Sequence, residues 1–214
     1  GQRDCYELPN LVPVSTGQLT GGEDRLTETG RMQGSWAVSF GMPSADPDIW
    51  RRDVEETRNR LPSEKLLSVS VVGTVQPGWS IEDLVADYAL CARWAIEAGA
   101  DAVETNLSCP NVATCDGQLY QNPAEAAATA EAVRQVIGDR PLILKIGHTT
   151  DSSAAEEFLK AVSPFATAIS MTNSVATTVQ SKEGSLLFEG QRRGICGMAT
   201  FDASLQQARL FSDL

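Results

Sequence analysis

The stretch that decides the fold is Glu104-Thr105-Asn106-Leu107-Ser108-Cys109-Pro110-Asn111-Val112. It follows Ala98-Gly99-Ala100-Asp101, a pattern typical of a helix end followed by a strand start. The polar cluster Asn106 to Asn111 therefore lies at the carboxyl end of a β-strand that comes after a helix. In α/β folds, binding and catalytic residues collect at that end of the strands. The stretch predicts both a parallel α/β sheet and the sheet edge that carries a site.

Strand and helix patterns alternate through most of the chain. Strand patterns cover residues 35–40, 65–73, 102–107, 141–147 and 166–172. Helix starts are predicted at Pro47, after Ser80 with Asp83 in a capping-box arrangement, after Asn122 with Pro123 at the first position, at Asp151, and at Thr200-Phe201-Asp202. A long loop is expected between the last strand pattern and the last helix.

Strands that alternate with helices, each interpreted as buried on both faces, indicate a parallel sheet. About five βα units are present, whereas a closed (β/α)8 barrel needs eight in roughly 250 residues. The alternation alone leaves an incomplete barrel and an open doubly wound sheet as alternatives. No Gly-x-Gly-x-x-Gly turn follows a strand, which argues against a dinucleotide-binding domain.

Composition narrows the class of protein. The 214 residues are enough for a single domain, 1–214, and the net charge of −11 argues against a nucleic-acid partner. No apolar run approaches the roughly 20 residues that span a bilayer, and no secretory signal is found. The five cysteines form no regular framework, which favours a reducing, cytoplasmic location.

The chain starts at Gly1 within a loop and ends at Leu214 in an amphipathic segment. Both ends suggest a fragment of a longer reading frame.

Cys109 is the candidate for chemistry in the polar cluster. A thiol abstracts a proton only if its pKa is near the working pH and it reaches the substrate, and a loop position beside backbone amides suits that role. The alternative is a buried small apolar residue, the commonest fate of a free cysteine. Cys115 lies six residues further on, a spacing that matches no common metal motif, so no metal site is predicted.

Amides and one lysine stand at other strand ends. Asn106 and Asn111 flank Cys109, and Asn173-Ser174 follows another strand. Together such groups suit a planar ligand edge that carries donors and acceptors, although each alone is more typical of a turn. Lys145 lies within an apolar strand and must meet an anion or a carboxylate, either in a salt bridge with Glu104 or at a ligand.

The segment Gly194-Ile195-Cys196-Gly197 precedes the last helix. We interpret it as a glycine-containing loop whose backbone N–H groups, with the helix start, suit a phosphate. A single short Gly-x-x-Gly is a weak signal for such a site.

The chain resembles the dihydroorotate dehydrogenases, which are FMN-dependent (β/α)8 barrels. The run Asn106 to Asn111 looks like the active-site loop of the soluble class in which a cysteine is the catalytic base. Pro9-Asn10-Leu11, residues 39–44, Lys145, Asn173-Ser174 and Gly194 to Gly197 follow in the order of the family's segments. The resemblance implies an incomplete barrel of about five to six βα units.

It also implies roles for these residues. Cys109 removes the proton at C5 of dihydroorotate while the hydride at C6 passes to the flavin. The resemblance assigns the pyrimidine substrate to Asn106, Asn111, Asn173 and Ser174, and it assigns FMN to Asn106, Lys145, Gly194 and Gly197. A homodimer is compatible with it, and the electron acceptor stays open among fumarate, NAD through a partner subunit, and a quinone.

Val38 departs from the family pattern, because an asparagine usually precedes the segment at 39–44. This difference favours one alternative, a related FMN barrel with another substrate, as in the dihydropyrimidine dehydrogenases. The absence of the family's first barrel strands and last two βα units leaves a second alternative, an inactive barrel fragment.

Overall fold

The structure is a computed structural model that describes residues 11–15, 19, 25–28, 34–38, 44–74, 76–108 and 118–214. These residues form two compact units. The first comprises the described residues up to Ser44 with His148–Thr150 and Met171–Leu214, and the second comprises Ala45–Gly147 and Asp151–Ser170. That residues 1–214 form one domain stays a prediction.

The described residues contain nine strands and five α-helices. The strands are β1 (Leu11–Pro13), β2 (Arg25–Thr27), β3 (Ser35–Val38), β4 (Ser68–Val71), β5 (Ala102–Asn106), β6 (Leu142–Lys145), β7 (Ala168–Ser170), β8 (Val175–Gln180) and β9 (Arg193–Gly197). The helices are α1 (Pro47–Arg60), α2 (Ile81–Glu97), α3 (Pro123–Ile137), α4 (Ser152–Val162) and α5 (Phe201–Asp213). None of these helices is long and apolar enough to cross a membrane.

The second unit is a parallel α/β sheet with the order β4-β5-β6-β7. The predicted helix starts are confirmed, since Ser80 and Asp83 form a capping box and Asn122 accepts from the backbone of Glu125. Helices α2 and α3 bury apolar stripes, in which Leu84 and Val133 are fully buried. The predicted α/β class with a parallel sheet is therefore present, with four strands in that sheet.

Helix α1 begins at Pro47, as predicted. It carries the apolar residues Ile49, Trp50 and Val54, but none of its residues is buried and Ile49 is 54% exposed. Trp50 instead packs against Trp94 of α2, with ring centroids 6.3 Å apart. Trp50 thus meets the side of another helix, which covers it only in part.

The two faces of the parallel sheet have different characters, so the prediction of strands buried on both faces holds for the inner strand β5 but not for β4. Val71, Val103 and Leu144 are buried on one face. On the other face Ser70 is exposed, and Glu104 is only partly buried. Because side chains alternate along a strand, one face packs into the apolar core while the other carries polar groups.

Two arginines hold the amino ends of the strands. Arg58 of α1 donates to the carboxylate of Asp101 at 2.7 Å, and that carboxylate also accepts from the N–H of Leu67 at 2.8 Å. Arg134 of α3 donates to the hydroxyl of Thr167 at 3.2 Å and to three backbone carbonyls. In barrel folds this end of the strands is associated with stability, and the opposite end with chemistry.

Two tyrosines pack where the chain leaves the carboxyl ends of β4 and β6. A Cβ atom on Gly73 would lie 2.7 Å from the Tyr88 ring, and one on Gly147 would lie 2.7 Å from the Tyr120 hydroxyl. Tyr88 is fully buried, and its hydroxyl donates to the backbone carbonyl of Asn106 at 2.7 Å. Glycine at both positions lets these rings support the sheet edge from which the predicted site residues project.

The first unit contains a mixed sheet with the order β1-β3-β9-β8-β2. It corrects two predictions: the expected long loop after β7 contains strands β8 and β9, and Gly194 to Gly197 belong to strand β9, not to a loop. Val175, Val179 and Ile195 are buried in the core of this sheet. Their burial stabilises β8 and β9 despite the Thr and Gly residues between them.

We expect Tyr88→Phe to lower the free energy of unfolding by about 1 to 3 kcal/mol, because it leaves the buried carbonyl of Asn106 without its donor. Thr105→Val, at the residue that precedes Asn106 on β5, is the matched control. The Thr105 hydroxyl is buried, and the described residues offer it no hydrogen-bond partner, so this change should be neutral or slightly stabilising. Urea denaturation measures both variants, and equal stability of Tyr88→Phe and the wild type would contradict a role for the hydroxyl.

Candidate functional site

Asn106 and Lys145 are adjacent across the parallel sheet. The register pairs Asn106 at the end of β5 with Lys145 at the end of β6. Paired residues of neighbouring strands project to the same face, so the amide and the ammonium group leave the sheet side by side at its carboxyl edge. Asn106 is 3% exposed, and the Lys145 side chain is 24% exposed. Two of the predicted site residues are thereby brought together.

A network of polar side chains connects β4, β5 and β6 on that face. The Nζ atom of Lys145 lies 3.1 Å from Oε1 of Glu104, and the hydroxyl of Ser70 donates to the same oxygen at 2.7 Å. The salt bridge with Glu104, one of the two alternatives for Lys145, is therefore present. Glu104 and Lys145 are both mostly buried, so each supplies the partner that a buried charge requires. The ammonium group still lies on the face and at the edge where a ligand is expected.

The end of β5 is held by several hydrogen bonds. The side-chain oxygen of Asn106 accepts from the N–H of Ser108 at 3.1 Å and from its hydroxyl at 3.2 Å. The N–H of Leu107 donates to the carbonyl of Lys145 at 2.9 Å, which continues the pairing with β6 by one residue. Ser108 is the last described residue of the polar cluster. Cys109 and Asn111 lie outside the described residues, so their predicted roles stay predictions.

In the first unit, Ser174 and Gly194 are in contact. A Cβ atom on Gly194 would lie 2.8 Å from the Ser174 hydroxyl, so only glycine allows this approach. Val38, the residue that departs from the family pattern, is the sheet partner of Gly194 on β3. Asn173 lies directly before Ser174 and is partly buried. Four residues that the sequence singled out are thus neighbours within this unit.

Gly197 is constrained by its own backbone. Its φ of +87° is one that side-chain-bearing residues rarely adopt, and a Cβ atom there would lie 2.0 Å from the carbonyl oxygen of Gly34. That carbonyl accepts from the N–H of Met198 at 2.7 Å. The glycine therefore allows β9 to pass close to β3. Gly194 and Gly197 lie in a strand, not in the loop from which a phosphate-binding role was inferred. Their role in binding phosphate stays a prediction.

Two cysteines within the described residues are poorly suited to take a proton. Burial, with the nearby Asp87 carboxylate, raises the pKa of the Cys91 thiol to about 11. Burial also raises the pKa of Cys196. A thiol with a raised pKa remains protonated at neutral pH and is a weak base and nucleophile. The described residues include no group of three His, Cys, Asp or Glu side chains arranged to hold a metal ion.

Sequence reasoning missed the residues that support the site. Tyr88 belongs to the buried apolar stripe of α2, yet its hydroxyl donates to the carbonyl of Asn106 at the end of β5. A buried tyrosine usually needs a partner for its hydroxyl, which was the available signal. Gln207 of α5, almost fully buried, accepts a hydrogen bond from Thr172 at 2.7 Å. The sequence gives no signal for that contact, because 35 residues separate the two side chains.

Known proteins resemble this chain in sequence. The family model for dihydroorotate dehydrogenase matches residues 28–212. The dihydroorotate dehydrogenase of Dictyostelium discoideum is 33% identical over 173 residues, which cover 78% of this chain and 46% of that protein. The catalytic subunit of dihydroorotate dehydrogenase B (NAD(+)) of Maridesulfovibrio salexigens is 38% identical over 66 residues, which cover 28% of this chain and 22% of that protein.

A solved structure shows the same fold. The dihydroorotate dehydrogenase of Eimeria tenella, crystallised in complex with ferulenol, matches 83% of this chain and 53% of its own, with a TM-score of 0.62 at 16% identity. The likeness confirms the predicted α/β fold as part of a (β/α)8 barrel. The chain spans about half the length of the curated relative and of the solved structure. Because the family model matches most of the sequence, the chain belongs to the dihydroorotate dehydrogenase family.

Proposed function

We propose that this chain acts in the FMN-dependent oxidation of (S)-dihydroorotate to orotate, a step of pyrimidine biosynthesis. The observation that carries the proposal is the pairing of Asn106 with Lys145 at the carboxyl edge of the sheet. That edge leads directly through Ser108 into the sequence Cys109-Pro110-Asn111. An amide and a cation at this edge, followed in the sequence by a thiol, match the chemistry that proton removal from a polar ring requires.

The residues at the sheet edge fit one end of a flavin. Lys145 is a mostly buried cation already anchored by Glu104, and Asn106 provides an amide beside it. Such groups suit the polar edge of an isoalloxazine ring, where negative charge develops on reduction. FMN, when bound, supplies the hydride acceptor for the reaction. Asn106 and Lys145 would hold the ring, and Gly194 and Gly197 remain the residues predicted for the phosphate.

In this proposal Cys109 is the base that takes the proton from C5 of the substrate. The raised pKa values of Cys91 and Cys196 make those two thiols unsuitable, which supports the choice of Cys109. A cysteine base is the feature that the resemblance associates with the soluble class of the family, and membership of that class is part of the proposal. The resemblance assigns the edges of the pyrimidine to Asn106, Asn111, Asn173 and Ser174. A cytoplasmic location and a homodimer belong to the same proposal.

The second candidate function is a flavin oxidation of a different substrate. Val38 favours it, since this apolar side chain stands where the family usually has an amide for orotate. Val38 is the sheet partner of Gly194, so it belongs to the same neighbourhood as Ser174. The two candidates differ in one property, which is affinity for orotate.

We expect the purified chain, incubated with FMN and freed of excess, to keep a visible flavin spectrum that changes when orotate is added. Orotate would lie against the flavin ring and perturb its absorption. A retained flavin with no response to orotate would favour the second candidate. A colourless protein would contradict cofactor binding by this chain and support the alternative of an inactive fragment.

We expect Cys109→Ala to slow flavin reduction by dihydroorotate by a factor on the order of 10² to 10⁴, as for loss of a general base. Stopped-flow absorbance measures the rate. In the wild type the rate should rise with pH as the base loses its proton, and this dependence should disappear in the variant. Cys91→Ala is the control, because a thiol with a pKa of about 11 stays protonated over this range. Equal rates for Cys109→Ala and the wild type would exclude Cys109 as the base.

We expect Lys145→Met to weaken FMN binding about tenfold to a hundredfold, the effect of losing one hydrogen bond from a charged group. Fluorescence titration measures the affinity. The variant leaves Glu104 without its cation, so Lys145→Met with Glu104→Gln separates loss of the ligand contact from loss of stability. Lys160→Met is the matched control, since that lysine is exposed and pairs with Glu156 on its own helix. Unchanged FMN affinity in both Lys145 variants would contradict the assignment.

A further inference from the structure

The orientation of the Asn106 side chain is determined by its partners. The backbone N–H of Ser108 lies 3.1 Å from one atom of the Asn106 amide, and the Ser108 hydroxyl lies 3.2 Å from the same atom. A backbone N–H can only donate, so the amide atom that faces it must be the oxygen. The ambiguity between oxygen and nitrogen that usually affects asparagine is therefore absent here.

The hydrogen bond from Ser108 to Asn106 closes a turn. A side-chain oxygen that accepts from the N–H two residues further on forms an Asx turn, which bends the chain in a defined direction. Both residues are buried, which strengthens the bond and makes its loss costly. The turn starts from a fixed point, because Tyr88 holds the carbonyl of Asn106 and Lys145 accepts from the N–H of Leu107.

We propose that Asn106 is a positioning residue whose amide oxygen fixes the backbone of Ser108, the residue that precedes Cys109 in the sequence, so that only its NH₂ group is left for a ligand. The oxygen already accepts two hydrogen bonds from Ser108. The ligand atom beside Asn106 must then be a hydrogen-bond acceptor, such as a carbonyl or carboxylate oxygen. This second part rests on the proposed function, whereas the turn does not.

Three variants separate the two tasks of Asn106. Asn106→Asp keeps an oxygen for both Ser108 bonds but replaces the NH₂ donor with an acceptor. Asn106→Ala removes the oxygen and the donor together. Ser108→Ala is the control, because it deletes the hydroxyl bond and keeps the backbone bond that closes the turn. Asn106→Asp with Glu104→Gln keeps the number of carboxylates near Lys145 constant and controls for the added charge.

The turn is tested by NMR-detected hydrogen exchange of the Ser108 amide, which requires neither FMN nor substrate. We expect protection close to the wild type in Asn106→Asp and in Ser108→Ala. In Asn106→Ala the amide should exchange roughly tenfold faster or more, corresponding to one lost buried hydrogen bond. Thr105→Val, on the opposite face of the same strand, should leave the Ser108 amide unchanged. Wild-type protection in Asn106→Ala would overturn the turn as the positioning element.

The role of the Asn106 NH₂ group as a hydrogen-bond donor to the ligand is tested by orotate titration of the flavin-loaded protein. We expect Asn106→Asp to bind orotate at least about tenfold more weakly at pH 7, because its carboxylate cannot donate. Its affinity should increase as the pH falls, since a protonated carboxyl regains one O–H donor, whereas the Asn106→Ala affinity should show no such increase. Wild-type affinity in Asn106→Asp at pH 7 would overturn the assigned donor. A wild-type chain that binds neither FMN nor orotate would overturn the proposed function and the ligand part of this inference, while the exchange result still decides the turn.

Discussion

The register between β5 and β6 is the constraint on which the candidate site depends. It pairs Asn106 with Lys145. Glu104, two residues before Asn106 on β5, projects to the same face. A shift of one residue would move every side chain of a strand to the other face of the sheet. The buried residues Val103 and Leu144 on the opposite face prevent such a shift, because it would expose them to water. The apolar core thus sets which polar groups meet at the edge.

The polar face of the sheet is organised by charge. Lys145 and Glu104 are mostly buried, with side-chain exposures of 24% and 19%, so neither could be tolerated there alone. Ser70 on β4 donates a hydrogen bond to the Glu104 carboxylate and fixes the position of that carboxylate. The ammonium group is consequently held near the carboxyl edge by neighbours on its own face. A preorganised cation of this kind loses little freedom when a ligand arrives, which is an advantage for binding.

Local sequence patterns predicted much of the second unit. The helix starts at Ser80 and Asn122 are specified by residues within one turn, and the structure confirms both caps. The pairing of Lys145 with Glu104 was one of two alternatives, because charge within an apolar strand demands a partner. Strands β8 and β9 were missed, since their Thr and Gly residues give a weak strand signal and their stability comes from packing around Val179 and Ile195.

The sequence by itself determined the order of strands and helices in the second unit, the helix caps and the position of the polar cluster at a strand end, because each depends on residues close together in the chain. The sequence also determined that the chain belongs to the family, because the family model matches residues 28–212. Only the tertiary structure decided that Tyr88 supports Asn106 and that Ser174 contacts Gly194. Those contacts join residues 18 or more positions apart, and they follow from register and packing, which no local pattern encodes.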